Sequence, residues 1–124
     1  MKIAICSNSQ GIKSELAERF GRADYFVIYD LENQDVKTIE NKAKNEPSGA
    51  GGSAVRSLSK EDVEIILVPE LGPKAMDAIK AFEIKAYAYT KGATVENAIE
   101  EFKLGKLEEL TSNTKEGHHG LRRA

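Results

Sequence analysis

Residues 65–89 read IILVPELGPKAMDAIKAFEIKAYAY and contain two short apolar stretches on either side of a helical pattern. The run Ile65 to Val68 and the stretch Ile84 to Tyr89 have the length and composition of buried strands. Between them, apolar residues recur at helical spacing, and Pro73 occupies the first turn of that helix, where its missing N–H costs nothing. A strand, a helix and a second strand in this order predict parallel strands joined by a right-handed crossover.

The same alternation extends on both sides of this unit. Apolar residues at helical spacing precede it at Ala54, Val55 and Leu58 and follow it at Val95, Ala98, Ile99 and Phe102. Nearer the start, Ile3 to Cys6 is typical of a buried strand, whereas Tyr25 to Tyr29 and Val36 to Ile39 predict a hairpin at one edge. The sequence therefore predicts a three-layer α/β domain: a five-stranded mixed sheet covered by three helices, with the first and fourth strands in the middle.

Length and charge limit the classes of function. The chain has 124 residues, which suits one domain; we place that domain at residues 1–107 and expect residues 108–124 to be a flexible tail. Its 18 basic and 20 acidic residues give a net charge of -2, which argues against a basic surface for nucleic acid. No apolar segment has the length of a signal peptide or a membrane span, so we expect a cytoplasmic protein without a membrane partner.

A single cysteine, Cys6, stands where the first strand gives way to a loop. It excludes an intrachain disulfide and a four-cysteine site within one chain, and it fits a reducing compartment. Because ligands collect at the carboxyl ends of strands in open α/β sheets, Cys6 is a candidate metal or cluster ligand; the alternative is a buried thiol that packs as a small apolar group. Arg19 and Arg22 could clamp an anion nearby or remain solvated charges. His118 and His119 could complete a metal site or lie in a solvated tail without a role.

A glycine-rich segment, Gly49-Ala50-Gly51-Gly52-Ser53-Ala54, matches the dinucleotide fingerprint G-x-G-x-x-G/A, and Glu70 follows where a ribose-binding acid would lie. The fingerprint requires a buried strand that runs directly into the glycines, whereas the mostly polar residues 40–48 separate Ile39 from this segment. Two other interpretations stay open: a flexible start of a helix, and N–H groups at a helix start that hold an anion.

Three blocks of the sequence carry a resemblance to one known family. They are Met1 to Ser7 (MKIAICS), Phe20 to Asp30 (FGRADYFVIYD) and Leu71 to Ala75 (LGPKA). With the glycine-rich segment, they resemble the dinitrogenase iron-molybdenum cofactor biosynthesis family over residues 1–107. The resemblance implies a ribonuclease H-like fold with strand order 3-2-1-4-5 and an antiparallel strand 2. It also implies a small carrier or chaperone for an iron-sulfur or iron-molybdenum cluster or its precursor, rather than an enzyme.

One position departs from the family's pattern. Members that bind the cofactor have a histidine before the Phe-Gly pair, and this sequence has Arg19 there. Phe20, Gly21 and Arg22 are therefore the only residues that match the family's motif here. The resemblance does not imply a cluster ligand at residue 19.

Our leading hypothesis is a non-enzymatic carrier of an anionic metal cluster, a monomer or weak dimer that exchanges its cargo with cluster-assembly proteins. The residues expected to contact the cargo are Cys6, Arg19, Phe20, Gly21, Arg22, Gly49, Gly51 and Gly52. The candidate metal ligands are Cys6, His118 and His119. The alternatives are a nucleotide- or phosphate-binding regulatory module that uses residues 49–53, and a protein-interaction module without a small ligand.

Overall fold

A computed structural model describes residues 1–90 and 92–111. The strands are β1 (Lys2–Ser7), β2 (Tyr25–Asp30), β3 (Val36–Glu40), β4 (Val63–Val68), β5 (Lys85–Ala88) and β6 (Glu108–Leu110). The helices are a 3-10 helix (Lys42–Asn45), α1 (Ala50–Lys60), α2 (Pro73–Ala81) and α3 (Val95–Lys103). Of the helices in the described ranges, none is long and apolar enough to cross a membrane.

The strands form one mixed sheet in the order β3-β2-β1-β4-β5-β6. β1 is antiparallel to β2 and parallel to β4, and β4 is parallel to β5. β2 and β3 form the edge hairpin that the sequence predicts. The predicted mixed α/β architecture, the order of the first five strands and the three α-helices are confirmed.

The prediction of five strands is wrong, because a sixth strand lies at the other edge of the sheet. β6 pairs antiparallel with β5 and places Leu110 opposite Ala86. Only the last of its three residues is buried, so the stretch is too short to show the alternation by which a strand is recognised. β6 falls in the segment that the sequence assigned to the tail, whereas residues 112–124 lie outside the described residues.

The two middle strands and their helices position the site. Ile5 of β1 and Leu67 of β4 stand opposite each other, and both are fully buried. α1 packs against α2, whereas α3 contacts β1 and places Phe102 edge-on against Tyr87, with ring centroids 5.1 Å apart. Because β1 and β4 are parallel neighbours, their carboxyl ends lie side by side at one end of the sheet.

Candidate functional site

A pocket of about 360 Å³ opens where the loops that follow β1 and β4 meet the first turns of α1 and α2. The loop after β1 contributes residues 19–22, and the loop after β4 contributes Glu70 and Gly72. The lining residues are Arg19, Phe20, Gly21, Arg22, Gly49, Ala50, Gly51, Glu70, Gly72, Pro73, Lys74 and Ala75. Residues from two separate sequence motifs therefore meet in one concave site.

Two helix N-termini face this pocket without a side-chain cap. Gly49 precedes α1 and Gly72 precedes α2, and neither has a side chain that could accept a hydrogen bond from the first-turn N–H groups. The N-terminus of α3 is closed instead, because Thr94 forms a capping box and the Ser14 carbonyl accepts from the N–H of Val95 at 2.9 Å. Since open N-terminal amides and the helix dipole favour an anion, α1 and α2 make the pocket electropositive.

Charged side chains strengthen this field. The lining contains three cationic residues, Arg19, Arg22 and Lys74, and one acidic residue, Glu70. The lining thus has an excess of positive charge, although the whole chain has a net charge of -2. Guanidinium, ammonium and backbone N–H groups are all donors to anions. The pocket is therefore suited to an anionic ligand.

Glycine at two positions lets three backbone segments meet at the pocket wall. A Cβ atom on Gly21 would lie 2.8 Å from the amide nitrogen of Gly51, closer than Cβ atoms normally approach another atom. A Cβ atom on Gly51 would lie 3.0 Å from the Cβ of Ala75 in α2 and 3.8 Å from the ring of Phe20. The loop of residues 20–22 meets the first turns of α1 and α2 because Gly21 and Gly51 have no side chain.

The other glycines of the glycine-rich segment have different roles. Gly49 has a φ of 75°, a left-handed conformation that favours glycine, and it turns the chain into α1. Gly52 lies inside α1 and outside the pocket lining, and a Cβ there would come no nearer than 3.9 Å to the Lys74 carbonyl oxygen. A 3-10 helix rather than a buried strand precedes Gly49, so the segment lacks the strand that the dinucleotide fingerprint requires.

Arg22 lines the pocket and also fixes the chain that leads into α1. Its Nη1 donates hydrogen bonds to the carbonyl oxygens of Lys44 and Glu46, the second at 2.8 Å. The Oε1 atom of Glu46 in turn accepts a hydrogen bond of 2.8 Å from the Ser53 hydroxyl in α1. Arg22 therefore couples the loop after β1 to the start of α1, a role that the sequence did not indicate.

Asn41 fixes the same loop from the other side. Its side chain donates to the carbonyl oxygens of Gly21 and Ala23 at 3.0 and 2.9 Å, and accepts from the N–H of Ala43 at 3.1 Å. The residue is only 3% exposed, so these bonds are made in a site where water cannot replace them. Sequence analysis missed Asn41, because a lone asparagine in a polar stretch carries no motif.

Replacing Asn41 with alanine is expected to lower the free energy of unfolding by about 2–3 kcal/mol, because the part-buried carbonyl of Gly21, the buried carbonyl of Ala23 and the N–H of Ala43 would lose their partner. Urea unfolding followed by circular dichroism measures the change. Asn45→Ala is the matched control: Asn45 is exposed in the 3-10 helix, so it should change the free energy by no more than about 0.5 kcal/mol. Equal effects of the two substitutions would contradict the role given to Asn41.

Cys6 lies inside β1 rather than at its end, since Ser7 continues the strand and is also buried. The Cys6 Sγ donates a hydrogen bond to the carbonyl oxygen of Leu67 at 3.6 Å, and the residue is 1% exposed. Burial is the main cause that raises the pKa of the thiol, and the charge of Glu70 adds to it. Cys6 is not part of the pocket lining. This placement agrees with the alternative that the Cys6 thiol packs as a small apolar group. The role of Cys6 as a metal or cluster ligand stays a prediction.

The structure brings together most of the residues that the sequence singled out. Those in the pocket lining are Arg19, Phe20, Gly21, Arg22, Gly49 and Gly51. Lys74 is the lining cation that sequence analysis did not name as a site residue, although the resemblance rests partly on the turn that contains it. His118 and His119 lie outside the described residues. Within residues 1–90 and 92–111, no group of three or more His, Cys, Asp or Glu side chains could hold a metal ion.

Comparison with known proteins finds similarity along nearly the whole described chain. The profile of the family described as "Dinitrogenase iron-molybdenum cofactor" matches residues 1–105. An uncharacterized protein of Methanocaldococcus jannaschii is 32% identical over 113 residues, which cover 89% of this chain and 92% of the relative. The apo form of the orange protein from Desulfovibrio gigas has a TM-score of 0.88 at 30% identity, covering 92% of this chain and 96% of that chain. An NMR structure of a candidate NifB protein from Thermotoga has a TM-score of 0.82 at 39% identity, covering 94% and 98% of the two chains.

Proposed function

The chain belongs to the dinitrogenase iron-molybdenum cofactor family, and from this premise we propose that it is a non-enzymatic carrier of an anionic metal-sulfur cluster. The cargo is an iron-sulfur or iron-molybdenum cluster or a precursor of one. It binds in the pocket between the loop that carries Arg19 and the first turns of α1 and α2. The name of the family supports a role in cofactor assembly, and the pocket supplies the chemistry.

The observation that carries this proposal is the convergence of two uncapped helix N-termini on one pocket whose lining includes three cationic side chains. Sulfide and oxide atoms at the surface of a cluster carry negative charge, and hydrogen bonds from N–H donors stabilise it. Arg19, which replaces the family's histidine, provides a cation in place of a ligand. The pocket therefore holds its cargo by charge and hydrogen bonds.

A site that binds by charge and hydrogen bonds does not supply all the ligands that the metal ions of the cluster need. The cluster must bring its own ligands or receive further ones from a partner, which suits cargo that is delivered and released. Ligation by Cys6 would require the thiol to leave the core, and ligation by His118 and His119 would require the tail to reach the pocket; both remain proposals.

The wider cellular role follows from the same proposal. A carrier exchanges cargo with cluster-assembly proteins, works as a monomer or weak dimer in the cytoplasm, and has no nucleic-acid partner. The strand order of β3, β2, β1, β4 and β5 supports the ribonuclease H-like relationship that the resemblance implies.

Anaerobic reconstitution with iron and sulfide tests the carrier function. We expect the wild-type chain to retain iron and sulfide after gel filtration and to show cluster absorbance, and Arg19→Ala to retain about tenfold less, since one charge-assisted contact is lost. Arg56→Ala is the matched control, because Arg56 is exposed on α1 outside the pocket lining. Equal losses in Arg19→Ala and Arg56→Ala would place the cargo elsewhere.

A further variant separates binding in the pocket from ligation by the thiol. If charge and hydrogen bonds hold the cargo, Cys6→Ser retains iron at the wild-type level. Loss of the cluster in this variant, with an unchanged unfolding midpoint, would show that Cys6 leaves the core and ligates the metal. No cluster in the wild-type chain under any loading condition would defeat the carrier proposal itself.

A second candidate function, a nucleotide- or phosphate-binding regulatory module, is favoured by one observation. Glu70 lies in the same pocket as the first turn of α1, so a phosphate and a ribose hydroxyl could be bound together. Calorimetric titration with nucleotides separates the two functions. No heat at millimolar nucleotide would remove this candidate, whereas tight binding that Arg19→Ala weakens would favour it over the cluster.

A further inference from the structure

Glu70 has an unusual position for a residue of an anion site. It lies in the pocket lining, half-buried, together with Arg19, Arg22 and Lys74. Yet none of the ion pairs formed within the described residues joins Glu70 to any of these cations. Within the described residues, the Glu70 carboxylate therefore forms no ion pair with the cations that share the lining.

A carboxylate in this place works against a simple anion. Sulfate or phosphate in the pocket would be attracted by the helix ends and the cations but repelled by Glu70, and a glutamine would fill the same space without that repulsion. A carboxylate is, however, a good partner for a metal ion, and a metal bound between one protein carboxylate and an anionic ligand is a common arrangement.

The position of Glu70 within the pocket agrees with such a role. Its charge contributes to the raised pKa of the buried Cys6 thiol and the buried Tyr89 phenol, after the larger effect of burial in both cases. Glu70 stands two positions beyond the end of β4 and directly before the fully buried Leu71, and it also lines the pocket.

We infer that the pocket selects an anion that carries its own metal ion, with the anionic atoms at the helix ends and cations and the metal against Glu70. Glu70 is the residue that determines this specificity. The inference rests on the proposed function and narrows it, because a metal-sulfur cluster and a metal-bound phosphate share this chemistry whereas a bare oxyanion does not.

Equilibrium binding to the full chain and to Glu70→Gln tests the inference with three probes. The probes are iron with sulfide under anaerobic conditions, pyrophosphate with and without magnesium, and sulfate alone. We expect Glu70→Gln to retain about tenfold less iron. We expect magnesium to tighten pyrophosphate binding only in the wild type, and sulfate to bind Glu70→Gln about threefold more tightly than the wild type. Glu64→Gln is the control, because Glu64 is exposed on β4 and outside the pocket lining.

The outcomes separate this inference from the proposed function. If wild type and Glu70→Gln retain iron equally and bind sulfate equally, the inference is overturned and the carrier function stands. If only pyrophosphate with magnesium binds, and binding depends on Glu70, the inference stands with a phosphate ligand and the carrier function fails. If the wild type binds sulfate more tightly than Glu70→Gln does, or binds none of the metal-bearing probes, the inference is wrong.

Discussion

Gly21→Ala is expected to lower the free energy of unfolding by about 1–3 kcal/mol and to reduce iron retention by about tenfold or more. The new methyl group would lie 2.8 Å from the amide nitrogen of Gly51 and 3.1 Å from its Cα. Both atoms belong to the backbone of α1, so no side chain can rotate out of the way, and the loop itself has to move. That movement would displace Arg19 and Arg22 relative to the helix ends, and the methyl group would lie against the amide of Gly51, a residue of the pocket lining.

Gly52→Ala is the matched control for this prediction. The site has room, since the nearest atom is 3.9 Å away, and alanine in place of glycine within a helix raises stability by up to about 1 kcal/mol. Iron retention should be unchanged, because Gly52 is not part of the lining. Urea unfolding and anaerobic iron analysis of both variants give the comparison. A Gly21→Ala protein as stable and as well loaded as Gly52→Ala would show that close approach is not what forms the pocket.

The fold could largely be predicted because its central elements have strong patterns. β1 and β4 contain the continuous apolar runs 3–6 and 65–68, which are typical of strands buried on both faces, and the three α-helices show apolar residues at helical spacing. β6 could not be predicted, because its three residues place only Leu110 in the core. β6 pairs with β5 only because the chain returns beside β5 after α3. That return depends on the tertiary structure and not on the local sequence.

The pocket could be predicted only in parts. The residue types pointed to an anion, since arginines and a glycine-rich helix start are suited to one, but they lie in segments about thirty residues apart in the chain. What joins them is the contact between Gly21 and Gly51, and no local pattern encodes a contact of that separation. Lys74 and Asn41 were missed for the same reason, because their roles arise from neighbours that only the fold supplies.

The placement of Cys6 shows that a strand longer by one residue changes the predicted accessibility of the thiol. The sequence indicated a strand that ends at Cys6, with the thiol at the mouth of the loop. The strand continues through Ser7, which is 0% exposed, because Ser7 still pairs with Tyr25 of β2 and forms an isolated bridge with Leu16. The thiol is therefore buried in the core, where its chemistry depends on how often the fold opens.

Cys6 is accordingly expected to react with a thiol reagent at least about a thousandfold more slowly in the folded chain than in the urea-unfolded chain. The residue is 1% exposed and its thiol pKa is raised by burial, so labelling requires an opening of the central sheet. Absorbance kinetics at mildly alkaline pH measure both rates. Ser57→Cys on a Cys6→Ala background is the control, because residue 57 is exposed on α1, and it should react at close to the unfolded rate.

The raised pKa gives the same prediction a dependence on pH with a definite sign. Above the usual thiol pKa of 9.0, the unfolded chain releases the Cys6 proton while the folded chain keeps it. The unfolded state then binds fewer protons, so the stability contributed by the neutral thiol is complete below that pH and declines above it, by about 1.4 kcal/mol per pH unit. Urea unfolding of wild type and Cys6→Ala measures the difference in slope. If the two slopes agree, and the native thiol reacts rapidly, Cys6 is accessible after all, and ligation of the cargo by its thiolate becomes the better account of the site.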